Sequence, residues 1–197
     1  WLKLFGPSPQ PPQVTAAKCH ASVMLALLLL LAPVCRAVPC TINGRGLLVG
    51  GRTLFLKGVN WSPIPIGSTA TVGGPQFRGF AETDSALMEA LGANAVRTYE
   101  PLTDLDVLDV LWRRGIYVLN TVYISSQDTI DSVAVSVKAV LHHPSILMWV
   151  VGNEWNYNNL YSKMGSERAL SRVGEVARLI KEIDQTRPVA TVYGMLP

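Results

Sequence analysis

Along this chain the apolar positions switch repeatedly between continuous or alternating runs typical of strands and the three-and-four spacing of helices. Thr53-Leu-Phe-Leu-Lys-Gly-Val-Asn60 is a short β-rich run leading through Trp61 into a loop broken by Pro63 and Pro65. Leu87, Met88 and Leu91 predict a helix stripe that Thr83 and Asp84 can cap and Gly92 stops. Residues 93–99 predict the next strand, and Thr103 with Asp106 predict a capping box, each side chain satisfying an amide the other leaves exposed. Leu105, Leu108 and Leu111/Trp112 then repeat at helical spacing up to Gly115. The nearly unbroken apolar run 116–123 suits a strand buried on both faces. Ile130, Val133, Val137 and Val140/Leu141 mark a third helix, and residues 146–152 a fourth strand. Leu170, Val173, Val176/Ala177, Ile180 and Ile183 stripe a long fourth helix, after which residues 189–193 begin a fifth strand.

Strand and helix in alternation imply right-handed βαβ units on a parallel sheet. A doubly wound sheet and a (β/α)₈ TIM barrel both satisfy that pattern. No G-x-G-x-x-G follows the opening strand, and Gly73-Gly74 sits in a loop without a dinucleotide fingerprint. Polar and aromatic residues gather instead where strands end: Asn60/Trp61, Arg97/Tyr99, Tyr123 and Asn153/Glu154/Trp155. Barrel enzymes build their sites on that face, so the expected fold class is α/β, a (β/α)₈ TIM barrel. A whole barrel takes about 250 residues. Residues 38–197 hold about five strands and read as its N-terminal half, the partial catalytic domain.

The segment before residue 38 reads differently. Residues 21–34 form a leucine-rich block ended by Pro33, shorter than the roughly 20 apolar residues of a spanning helix. Lys18 and His20 precede it and Cys35-Arg36-Ala37 follows, the layout of a secretory signal peptide cut after Ala37. The first methionine is Met24, so residues 1–23 read as upstream sequence, and residues 1–37 together as upstream sequence plus signal. The expected location is secreted, extracellular or cell wall, or membrane-anchored should the signal stay uncut. After cleavage no stable membrane partner is expected, and Cys40 is the odd cysteine of the mature chain, which suggests a missing partner.

With 49% hydrophobic and 16% charged residues over 197 positions the chain is not disordered. The formal charge of +3 arises entirely from Lys3, Lys18 and Arg36. The remainder is balanced, which leaves no basic surface for nucleic acid. His142 and His143 precede the fourth strand, on the face away from the strand ends, and are expected to cap a helix C-terminus; no metal and no cofactor are implied.

Ile146-Leu-Met-Trp-Val-Val-Gly-Asn-Glu-Trp155 resembles the fourth-strand motif of the clan A retaining glycoside hydrolases. Phe55-Leu-Lys-Gly-Val-Asn60, Leu91-Gly-Ala-Asn-Ala-Val-Arg97-Thr-Tyr and Gly115-Ile-Tyr-Val-Leu are similar to the first three barrel strands of glycoside hydrolase family 2, with His143-Pro-Ser-Ile leading into the fourth. The arrangement also resembles β-1,3-glucanosyltransferases, which share Arg-x-Tyr-Glu on the second strand. The resemblance implies hydrolysis of β-linked O-glycosyl bonds in an oligo- or polysaccharide, with retention. It assigns the acid/base to Glu154, a hydrogen bond to the sugar 2-hydroxyl to Asn153, and support of the nucleophile to Arg97. The nucleophile is a second glutamate on the seventh strand, expected beyond Pro197, so the chain alone is expected to be inactive. Trp155, Trp61, Tyr99 and Tyr123 offer flat faces for sugar rings or pack the core, and Asn60 stands on the same rim. Glu100 paired with Glu154 would instead imply an inverting pair, with carboxyls about 6.5–9.5 Å apart rather than about 5–5.5 Å. Transfer to a sugar acceptor, and a non-catalytic carbohydrate-binding or vestigial protein, are the alternative readings.

Overall fold

The computed structural model describes residues 38–123, 128–155 and 164–194. The leucine block and its cleavage point lie outside those residues. The described chain opens with an antiparallel meander of β1 (Cys40–Asn43), β2 (Gly46–Val49) and β3 (Arg52–Leu54). Between β2 and β3 both Gly50 (φ 56°) and Gly51 (φ 79°) take the positive angles that a two-residue hairpin turn requires. The single run expected from Thr53 to Asn60 is therefore divided, its end belonging to β4 (Gly58–Trp61). Between the two pieces Asn94 replaces a strand ladder: its side-chain oxygen accepts from Lys57 N at 2.8 Å and its amide donates to Phe55 O at 2.9 Å. Cys40, a free thiol, is buried where the meander joins the sheet, its backbone N–H donating to Thr186 O at 3.0 Å.

From there β4, β5 (Ala95–Thr98), β6 (Tyr117–Tyr123), β7 (Ile146–Val151) and β8 (Val189–Thr191) form a five-stranded sheet, parallel throughout. Order in space follows order in sequence. A doubly wound sheet reverses at a switch point; this sheet does not, and the fold is part of a (β/α)₈ barrel. One sheet face meets α1 (Phe77–Leu91), α2 (Leu105–Arg113), α3 (Ile130–Val140) and α4 (Ser166–Ile183). Trp61, Val96, Val118, Val122, Trp149 and Val151 join the buried helix residues in that core. The other face carries the register neighbours Asn60, Arg97, Leu119 and Met148.

Helix starts and stripes differ from expectation. Thr83 and Asp84 lie inside α1, and Asp84 instead accepts from the Trp61 indole at 2.8 Å. The buried stripe of α1 is Ala81, Ser85 and Met88, while Leu87 and Leu91 are exposed. On α2 the cap is Asp104, accepting from the backbone of Asp106 and Val107, in place of the Thr103/Asp106 box. Leu105 of that helix is exposed, as is Leu170 of α4, where Ala169 packs instead. Gly92 ends α1 in the left-handed conformation as expected, and Thr129 caps α3.

Arg187, fully buried, organises the lower end of the sheet. Its guanidinium donates to Ile146 O at 2.6 Å, Leu141 O at 2.7 Å, His143 O at 2.9 Å and the Asp184 carboxylate at 2.9 Å. Asp184 also accepts from the Trp149 indole and from Thr186. Burial alone would raise the Asp184 carboxyl, but donors from Thr186, Arg187 and Trp149 hold it below the usual aspartate value. Removing the cation strands a carboxylate and three carbonyls, so Arg187→Met should cost about 3–5 kcal/mol in urea unfolding. The depressed pKa adds a pH signature. Its contribution is complete above the unfolded aspartate value, about 3.9, and fades as pH falls through the lower folded value. An unfolding midpoint unmoved by Arg187→Met would contradict this account.

Candidate active site

The candidate site lies where β7 ends. All six residues of β7 are buried, so packing on both faces fixes the direction in which the chain leaves the sheet. Gly152 (φ 72°) turns it, with its N–H on Tyr123 O, and a Cβ there would press to 3.4 Å from the Trp155 side chain. Asn153 follows, half-buried, and then Glu154, exposed and held at φ 46°. Glu154 is the one non-glycine residue with positive φ among the described residues. Its backbone is fixed by an N–H donated to Val192 O at 3.0 Å, just past β8. Residues held in such unfavourable conformations cluster at functional sites.

Arg97 reaches this turn from β5. Its Nη2 donates to Asn153 Oδ1 at 2.6 Å, and its guanidinium lies 5.1 Å from the centre of the Tyr99 ring, a cation–π contact. Burial lowers the Arg97 pKa, while Tyr99 and the negative charge of Glu154 act against that shift; an arginine stays protonated regardless. Its Nε is buried and has no partner among the described residues. Asn60 stands beside Arg97 in the sheet register, exposed. Thus Glu154, Asn153, Arg97, Tyr99 and Asn60 converge on one rim.

Three aromatic residues expected to offer sugar platforms are placed in the core instead. Trp61 is 4% exposed, bonded to Asp84 and packed on Phe77 with ring centres 5.0 Å apart. Trp155 is 1% exposed, set edge-on to Tyr193 at 4.9 Å. Tyr123 is wholly buried and joins the helix-facing core, where burial raises its phenol. The reason is shared: strand sides alternate, and these side chains fall on the helix side or turn under the rim. His143 is no helix cap. Its ring bridges Ser145 Oγ at 2.7 Å and Asp109 Oδ1 at 3.0 Å, below the sheet and away from the rim.

Supporting residues had weaker signals. Asn120 and Thr121 interrupt an apolar strand, and both are fully buried. The Asn120 side chain clamps Leu102, accepting from its N–H at 3.0 Å and donating to its carbonyl at 2.9 Å. Thr121 N donates to Thr98 Oγ1 at 3.2 Å, and its hydroxyl to Thr98 O. These bonds fix the chain on both sides of Tyr99 and Glu100. A buried amide inside a valine-rich strand is the mark that could have revealed the clamp.

Residues 123–195 match the family model for glycosyl hydrolases family 2, TIM barrel domain. A glycosyl hydrolase family 2 member from Bacteroides cellulosilyticus superposes with TM-score 0.64 at 20% identity, over 81% of this chain and 22% of that one. The β-glucuronidase of Parabacteroides merdae gives 0.61 at 17% identity, over 77% and 20%. A β-D-glucuronidase from Dictyoglomus thermophilum gives 0.58 at 20% identity, over 80% and 29%. The chain therefore spans about a fifth of the length of the first solved structures it matches. The comparison with curated proteins gives no match.

The backbone at Glu154 makes a stability test possible. A left-handed conformation costs an ordinary residue roughly 1–2 kcal/mol and glycine almost nothing. Glu154→Gly should therefore stabilise the fold by about 1 kcal/mol, less the added entropy of the unfolded chain, while deleting the carboxylate. Glu154→Ala keeps the strain and serves as control in urea unfolding. A glycine variant less stable than the alanine variant would show that the turn is not strained.

Proposed function

We propose that this chain, which carries the family 2 TIM-barrel pattern over residues 123–195, is the front part of the catalytic barrel of a retaining β-glycosidase with Glu154 as acid/base. The observation that carries the reading is the convergence at the end of β7: Glu154 on a strained turn, with Asn153 bonded to Arg97 beside it. In the first step Glu154 gives its proton to the departing glycosidic oxygen while a carboxylate attacks the anomeric carbon from the opposite face. In the second, Glu154 takes a proton from water, which displaces that carboxylate. The bond from Arg97 fixes the orientation of the Asn153 amide, its oxygen toward the guanidinium, and this reading gives Asn153 a contact to the sugar. Such a contact to the 2-hydroxyl tightens as positive charge develops on the ring. The buried Nε of Arg97 supplies a donor for the nucleophile, which in this reading comes from a strand beyond the five described.

Acceptance of a sugar in place of water in the second step gives transglycosylation by the same groups, and product analysis distinguishes the two. In the same reading the leucine block is a cleaved signal and the protein is secreted. N-terminal sequencing of exported material should begin near Val38.

The acid/base role is tested with Glu154→Gln in protein expressed from the complete reading frame. Hydrolysis of natural glycosides should fall by about 10²–10⁴-fold, the usual contribution of a positioned proton donor. Formation of the glycosyl-enzyme from aryl glycosides with good leaving groups should fall far less. Equal, small losses on both would remove Glu154 from the role.

A further inference from the structure

Of the four aromatic residues expected on the rim, Tyr99 is the one that the core does not take. Trp61, Tyr123 and Trp155 are buried, whereas Tyr99 is half-buried and follows β5 directly. It shares a strand side with Arg97, because side chains alternate along an extended chain. The guanidinium carbon of Arg97 lies over the Tyr99 ring, 5.1 Å from its centre. The phenol hydroxyl makes no hydrogen bond among the described residues, so Tyr99 contributes its ring and not its oxygen.

Arg97 needs a partner of this kind. It is half-buried, and burial lowers its pKa, the mark of a cation short of water. Among the described residues it forms no salt bridge. Its Nη2 donates to the neutral Asn153 amide at 2.6 Å, and its buried Nε has no partner there. A carboxylate pressed against the guanidinium would cancel its charge and occupy its N–H groups. An aromatic face attracts the cation and occupies none of them. The contact therefore steadies Arg97 while Nη2 stays on Asn153 and Nε stays unspent. We propose that Tyr99 is a positioning residue whose ring holds the Arg97 guanidinium in place for Asn153 and the nucleophile, rather than a platform on which a sugar stacks. The inference rests on the glycosidase reading and deepens it, giving Tyr99 a part that acts through Arg97.

Two readouts separate this role from its alternatives. Protein from the complete reading frame is assayed on aryl β-glycosides as wild type, Tyr99→Leu and Tyr99→Phe, together with a Tyr99→Phe series whose ring carries increasing numbers of fluorines. Fluorine drains electron density from the ring face at little change in size, so it weakens the attraction to a cation in steps. Tyr99→Leu should lower kcat about tenfold, as loss of a contact to a partly desolvated cation implies, with KM nearly unchanged. Tyr99→Phe should recover most of that loss, and each added fluorine should take part of it away again. The fluorinated series also serves if the leucine variant fails to fold. A sugar platform would raise KM instead, and a merely structural ring would be indifferent to fluorination; either result overturns the proposal. Modification of Arg97 by phenylglyoxal, followed by mass spectrometry, reads the contact without reference to activity. The reaction should be several-fold faster in Tyr99→Leu than in the wild type or Tyr99→Phe, and an equal rate in all three would overturn the proposal. If protection of Arg97 depends on Tyr99 while no glycoside is hydrolysed, the hold on Arg97 stands and the glycosidase reading falls.

Discussion

The buried guanidinium of Arg187 is the interaction on which the rest of the sheet depends. It gathers carbonyls from the end of α3, from the turn that follows and from the first residue of β7, and it is balanced by Asp184 at the end of α4. Those carbonyls could not reach water, and a helix end buried without partners is costly. Measured against a well-packed apolar cluster such a pair yields little net stability. Its effect is on placement. One side chain fixes where β7 begins relative to β8, and Asp184 binds the Trp149 indole in the middle of β7 from the same point. Because β7 is buried throughout, its anchored lower end and packed faces hold it up to the turn at Gly152, across the register shift opposite Val118 and Leu119.

A second buried network does the same for β5. Thr98, Asn120 and Thr121 tie β5 to β6 and hold Leu102, so the segment between them cannot shift without breaking bonds that water cannot replace. Arg97 projects from one side of this strand while Thr98 anchors the other, an allocation set by strand alternation. The two networks meet in the bond between Arg97 and Asn153, which joins residues 56 apart in sequence. Preorganisation of this kind lets polar groups stabilise developing charge without first being reoriented. The left-handed backbone of Glu154 is tolerated for the same reason: its flanks are over-determined by Val192 and by the packing of Trp155.

Sequence pattern revealed the larger elements because each has a strong period and a physical stop. The β7 run, the Gly92 terminus and the α3 stripe with its Val133, Val137 and Val140 stand as read. Failures came where two readings shared one pattern. Leu87 and Leu91 look like a stripe, yet smaller Ala81 and Ser85 lie closer to the sheet, and close helix packing favours them. Aromatic residues at strand ends suit either a sugar platform or a core, and the sequence does not state which side they take. Trp61 and Asp84 illustrate the difficulty: an indole hydrogen bond spanning 23 residues removed one expected platform and one expected cap together. Asp184 and Arg187 were invisible for a different reason. In an α-helical terminus a charged pair three residues apart ordinarily lies on the surface, and only the tertiary fold buries it.

The charges on the rim complete the physical argument. Arg97 is bonded to Asn153, next to Glu154 past the end of β7, whereas Glu100 follows β5 with its Oε2 shielded from solvent. That asymmetry gives the two groups different surroundings. Glu154 stands exposed on an open turn. Glu100 has one oxygen enclosed, and burial raises its carboxyl above the usual glutamate value. Identical side chains thus meet different environments, the means by which proteins set acidic residues apart. The difference follows from sheet geometry: the turn at Gly152 leaves Glu154 exposed past the end of β7, while Glu100 is held close behind β5 by the clamp that Asn120 places on Leu102.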